Sequence, residues 1–135
     1  MAALTRDRVT TYREGVEVEF PVAAATKIFA GSLVCVNAEG LAAPAADTLG
    51  YTFVGVAQEQ ADNSSGSGGD KVVRVRRTGV FEFDAASLTQ AMVGQPMYAA
   101  DDQTFNTAAG VTNDVKVGVL VKYVSATKGW IDIAR

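Results

Sequence analysis

Histidine is missing from this chain altogether. That removes Ser-His-Asp and Cys-His nucleophilic catalysis, the commonest metal ligand, and the easiest general base near neutral pH. Cysteine is nearly missing too: Cys35 stands alone, which rules out an internal disulfide or a cysteine-rich metal site. It lies in Leu33-Val34-Cys35-Val36, where a small buried hydrophobe is its expected role. Nor is there a basic surplus. Lys and Arg total 12 against 15 Asp and Glu, and a net charge of −3 has the wrong sign for a dedicated nucleic-acid binder. No apolar run reaches membrane-spanning length, and Met1-Ala2-Ala3-Leu4-Thr5-Arg6 has no apolar signal region. Cytoplasmic synthesis and no membrane partner are therefore expected. Aromatics make up only 8% and much of the apolar share is alanine, which favours thin strands over a bulky helical core.

What the chain does have is β-signal. In Lys71-Val72-Val73-Arg74-Val75-Arg76-Arg77-Thr78-Gly79-Val80-Phe81-Glu82-Phe83, Val73, Val75 and Arg77 share one face of an extended strand and Arg74 and Arg76 the other. Past Thr78-Gly79 a second alternation sets Phe81 and Phe83 against Val80 and Glu82. This reads as a central strand pair, fed by a mobile Gly/Ser-rich loop over 62–70.

Residues 1–15 are polar, mixed in charge and without a period, as expected of a loosely ordered N-terminal arm. A single β-rich domain follows over 16–135. Val16-Glu17-Val18-Glu19-Phe20 alternates as a half-exposed strand stopped by Pro21. The alanine-rich 22–30 suits a helical turn, and 33–36 a short buried strand. Strands are expected again over 51–58 and 115–124, and Trp130-Ile131-Asp132-Ile133 closes the chain. A short helix is predicted over 84–91, with Asp84 or Ser87 as its cap.

Several pieces recur at one offset. Val54-Gly55-Val56 returns 63 residues later as Val117-Gly118-Val119; Gly31 maps to Gly94, Thr26 to Thr89, and Glu19-Phe20 to Glu82-Phe83. With a loop after Gln58 about five residues longer than its counterpart, Val73-Arg74-Val75 lies over Ile131-Asp132-Ile133. The expected fold is all-β, a small sandwich or barrel built from an internal repeat.

No chemical motif stands out. Asp101-Asp102 are adjacent in a turn and point apart, as a solvated corner does. Asp62-Asn63-Ser64-Ser65-Gly66 only shadows a calcium loop. Gly66-Ser67-Gly68-Gly69-Asp70-Lys71 lacks the ending of a phosphate cradle, and a strand follows it rather than a helix. No cofactor or metal is expected. Arg74, Arg76 and Arg77 form the one local charge excess. They suit either carboxylates on a partner or cross-strand pairing with Glu82 or Asp84.

The order of Ala30-Gly31-Ser32-Leu33-Val34, Val54-Gly55-Val56-Ala57, Gly69-Asp70, Thr78-Gly79-Val80-Phe81, Val93-Gly94-Gln95-Pro96-Met97-Tyr98 and Val117-Gly118-Val119-Leu120 resembles the small capsid cement, or decoration, proteins of tailed bacteriophages. The likeness spans roughly residues 16–133. It implies a non-enzymatic β-rich protein of the virion, made in the host bacterium. Such a protein sits on the outer capsid surface, often as a homotrimer, and braces neighbouring major capsid subunits against internal DNA pressure. Candidate partner contacts are Arg6, Arg8, Tyr12 and Arg13 in the arm and Arg74 and Arg76 on the strand. A second reading stays open: a β-sandwich that binds a small ligand or glycan from a particle surface, with Tyr51, Tyr98, Tyr123 and Trp130 as stacking faces.

Overall fold

The computed structural model describes residues 2–11 and 14–135. The strands are β1 (Glu17–Pro21), β2 (Thr26–Ile28), β3 (Leu33–Val36), β4 (Ala42–Pro44), β5 (Thr52–Ala57), β6 (Ala61–Asn63), β7 (Val72–Arg76), β8 (Val80–Ala85), β9 (Pro96–Ala99), β10 (Thr104–Asn106), β11 (Lys116–Ser125) and β12 (Lys128–Asp132). The protein is all-β. Its helical content among the described residues is two 3-10 turns, Gln90–Met92 and Ala108–Gly110.

The strands make two lobes of one topology. In the first, the order is β1-β7-β5-β3-β4; in the second, β8-β12-β11-β9-β10 closes into a barrel. Adding 63 to the numbers of β1, β3, β4 and β5 lands on β8, β9, β10 and β11. The pairing registers agree: Glu17↔Arg76 through Pro21↔Val72 in lobe one corresponds to Val80↔Asp132 through Asp84↔Lys128 in lobe two. Even the bulge is copied. Val34↔Gly55 shifts to Cys35↔Phe53, just as Met97↔Gly118 shifts to Tyr98↔Lys116.

The last strand corrects the expected alignment. Arg76 corresponds to Asp132 and Val75 to Ile131, an offset of 56, so the connection in lobe one is seven residues longer, not five. Val73-Arg74-Val75 therefore lies over Gly129-Trp130-Ile131. Interior volume explains the two-residue slip. Val73 shares the lobe-one cluster with Ala42 and Ala57, whereas the matching Gly129 makes room for Leu120 and Leu88 in lobe two. A Cβ on Gly129 would stand 2.8 Å from Leu120 Cδ1 and 2.9 Å from Leu88 Cδ1.

Closure differs between the lobes. In lobe two, β10 runs parallel to the end of β8 (Thr104↔Asp84, Phe105↔Ala85), and Asp84 N–H donates to Gln103 O at 3.0 Å. In lobe one the place of Asp84 is taken by Pro21, which has no N–H to give. The seam is held instead by one parallel bridge, Val22↔Ala42, with Ala23 N–H donating to Ala42 O at 2.9 Å.

The lobes share a core. Val34, Ala57, Val73 and Val75 fill lobe one, together with Ile28 from the small β2–β6 pair. The opposite face of β3 and β5 carries Leu33, Cys35 and Val56, which join Met97, Phe105, Leu120 and Ile131 of lobe two in one cluster. Leu33 N–H also donates across the boundary to Asp102 O at 2.8 Å. Full burial of a leucine contributes roughly 1.5–3 kcal/mol, so β3 ties the lobes with both faces.

Three further expectations are corrected. The 22–30 segment holds strand β2 rather than a helical turn, because Thr26–Ile28 pairs with Ala61–Asn63. The helix expected over 84–91 is absent: Asp84 and Ala85 end β8, and one 3-10 turn follows at Gln90–Met92. Finally, β7 and β8 do not pair. The former lies between β1 and β5, the latter between β12 and β10, and Thr78-Gly79 is the passage from one lobe to the other.

Candidate functional site

The polar face of interest is the outside of β1 and β7. Alternation sends Val18 and Phe20, with Val73 and Val75, inward, and leaves Glu17 and Glu19 opposite Arg76 and Arg74 on the outer surface. Two rows of opposite charge result. Arg74 lies 3.6 Å from Glu17 and 3.9 Å from Glu59, each side chain about half exposed. Arg76 Nε donates to Thr78 O at 3.1 Å. The partners of Arg74 are thus on β1 and in the loop after β5, while Glu82 and Asp84, named above as cross-strand partners, lie on the other lobe.

The arm stands apart. Among the described residues, 2–11 and 14–15 are exposed and outside any strand, with Leu4 70% and Val9 99% accessible. Arg6 and Arg8 are two of its cations. Tyr12 and Arg13, the other arm candidates, lie outside the described residues. The arm candidates and the β7 arginines are not brought into contact with one another by any hydrogen bond or ion pair among the described residues.

Where β7 ends, a cleft of about 560 Å³ opens between the lobes, lined by Val18, Phe20, Phe53, Val54, Arg77 and Ile133 among others. Arg77 Nη1 donates to Gly15 O at 3.4 Å at its edge. Sequence reasoning missed this cleft because its walls come from four separate stretches. It also missed Asp47, whose carboxylate accepts from Thr112 N–H and Asn113 N–H, both at 2.8 Å, while Asn113 Nδ2 donates to Asp47 O at 3.0 Å. These bonds clamp lobe one to lobe two. The Thr112 and Asn113 amides hold the Asp47 carboxyl below its ordinary value.

The remaining candidates look structural. Burial pushes the Cys35 thiol up to about 12, so it stays protonated and unreactive. Asp101 Oδ1 accepts from Gln103 N–H, and the Asp102 carboxyl is raised by burial and then by Asp101. The loop expected to be mobile is pinned at its base: buried Asn63 Nδ2 donates to Val22 O, Ala23 O and Ser67 O at 3.2, 2.9 and 2.9 Å. Among the described residues no group of three His, Cys, Asp or Glu is placed to hold a metal. No helix there is long and apolar enough to cross a membrane. The aromatics do not gather into a platform. Tyr51 and Tyr123 pack on the shared core, and Trp130 pairs with Glu82 and Lys122 on the outside of lobe two.

Comparison with known proteins gives one match. No curated protein and no solved structure matches the chain. A family model described as phage cement protein matches residues 12–133, a span that covers both lobes and the end of the arm. The chain belongs to the phage cement protein family.

Proposed function

We propose that this protein docks on the outer surface of an assembled phage head and braces neighbouring major capsid subunits, acting as a homotrimer. The family match over residues 12–133 is the observation that carries this reading. On it, binding and shape do the work and no bond is made or broken. Residues 1–15 serve as an arm, and 16–135 as one domain whose lobes share a core. Each copy needs only modest affinity, because three linked copies raise one another's effective concentration at the shell. The partner contacts we assign, to the shell or to a neighbouring copy, are Arg6, Arg8, Tyr12 and Arg13 in the arm and Arg74 and Arg76 on β7. Polar, charge-paired contacts of this kind set register and partner choice more than raw affinity. Neither nucleic acid nor membrane enters the mechanism.

The test is direct. Purified protein mixed with undecorated heads is expected to co-sediment at a fixed stoichiometry and to raise the temperature at which the heads release DNA. Light scattering is expected to give a mass of about three chains. Protein that stays in the supernatant at all concentrations overturns the reading.

A further inference from the structure

We propose that the arm of one copy adds a strand to the free edge of β1 in a neighbouring copy, so that copies are linked by exchanged arms. This rests on the reading that copies of the chain associate. The first observation is an open edge. Arg77 N–H donates to Val16 O at 2.8 Å and Val22 N–H to Lys71 O at 2.9 Å, so the even-numbered residues of β1 bond β7. The peptide groups of Glu17 and Glu19 therefore point the other way. On that side β1 has no strand partner among the described residues, since the Val22↔Ala42 bridge lies past its end. An edge with unpaired N–H and C=O groups is a template for another chain.

The second observation is charge. In an extended arm, Arg6 and Arg8 project to one side about 7 Å apart. Glu17 and Glu19 have the same spacing on the outer face of β1. A strand laid along β1 sets both arginines opposite both glutamates in either direction, continuing the alternation in which the Arg74 and Arg76 row already faces the glutamates from β7. Val9, almost fully accessible in the single chain, then turns to the face of Val18 and Phe20, beside the interlobe cleft. The arm does not lie on its own β1, where all its described residues remain exposed. A second copy is the occupant that satisfies both edge and arm.

The experiment uses full-length chains and two variants. Arg6→Glu/Arg8→Glu and Glu17→Gln/Glu19→Gln are each expected to weaken self-association at least about tenfold. Diluted until every protein is monomeric, their urea midpoints should stay near that of the unmodified protein, because these side chains are exposed. The decisive step mixes a chain lacking residues 2–14 with a chain carrying Glu17→Arg/Glu19→Arg. One offers only an edge and the other only an arm, so a heterodimer is expected by light scattering where each alone is a monomer. Unmodified protein that is itself monomeric overturns the association reading and this inference with it. A wild-type trimer whose variants keep their mass overturns the exchange alone. Variants that keep their mass but lose binding to heads overturn it also, and identify the capsid as the arm's partner.

Discussion

Gly55 and Gly118 occupy the same point of the two lobes, 63 residues apart, each at the bulge where its strand passes a neighbour. Their φ values are 151° and 158°, and a Cβ would collide with the carbonyl oxygen of Arg76 at one and of Asp132 at the other. Neither backbone can retreat, because those carbonyls belong to the adjacent strand. Gly55→Ala and Gly118→Ala are each expected to cost roughly 2–5 kcal/mol in urea unfolding. Equal tolerance of alanine at both sites would overturn the account of the bulge.

The volume exchange between lobes gives a second test. Leu120 and Gly129 in lobe two stand where Ala57 and Val73 stand in lobe one. Gly129→Val alone overpacks the site and is expected to destabilise by about 1–3 kcal/mol. Leu120→Ala alone leaves a cavity and costs about 2–5 kcal/mol. The double variant rebuilds the pair found in lobe one, so its loss should fall short of the sum by about 1 kcal/mol or more.

Acid should separate two aspartates by sign. The folded protein lowers the Asp47 carboxyl from its ordinary 3.8, so Asp47 stabilises above that value and its contribution is lost as pH falls through the lowered one. Asp102 is raised from 3.8, chiefly by burial and then by Asp101, so its contribution is present at low pH and lost as pH rises. At pH 7, Asp47→Ala should lower the urea midpoint and Asp102→Asn should raise it. Both gaps should close as pH falls below about 4.

Arg74 is a cleaner probe of function than of stability. Its ion pairs with Glu17 and Glu59 join side chains 44–50% exposed, and such pairs contribute less than about 1 kcal/mol. Arg74→Ala should leave the thermal midpoint nearly unchanged. Any loss of head binding by that variant then reports a lost contact, measured as the co-sedimenting fraction.

The repeat was legible because Val-Gly-Val marks a bulge, and a bulge needs its glycine in both lobes. The register of the final strand was not. Matching Val73-x-Val75 to Ile131-x-Ile133 follows apolar similarity, whereas the strand pairing sets Val73 over Gly129, where Leu120 and Leu88 occupy the space a side chain would take. The pairing of β7 was hidden for a related reason. Thr78-Gly79 has the composition of a hairpin turn, and only the competition between β1 and β8 for that edge decides which strand wins. The β1–β7 charge rows were half visible: Arg74 and Arg76 stood out, but the β1 glutamates opposite them, Glu17 and Glu19, lie more than 50 positions earlier in the chain. Asp47 gave no local signal at all, since its ligands are amides of a distant loop.

Pro21 has a mechanical consequence. By withholding one donor it leaves the seam of lobe one fastened at Val22–Ala42, while lobe two carries an extra rung at Asp84. A load pulling β1 away from β4 is borne by that one peptide bridge, whereas β1 stays zipped to β7 along its whole length. Compliance is thus concentrated on the side where the arm is rooted.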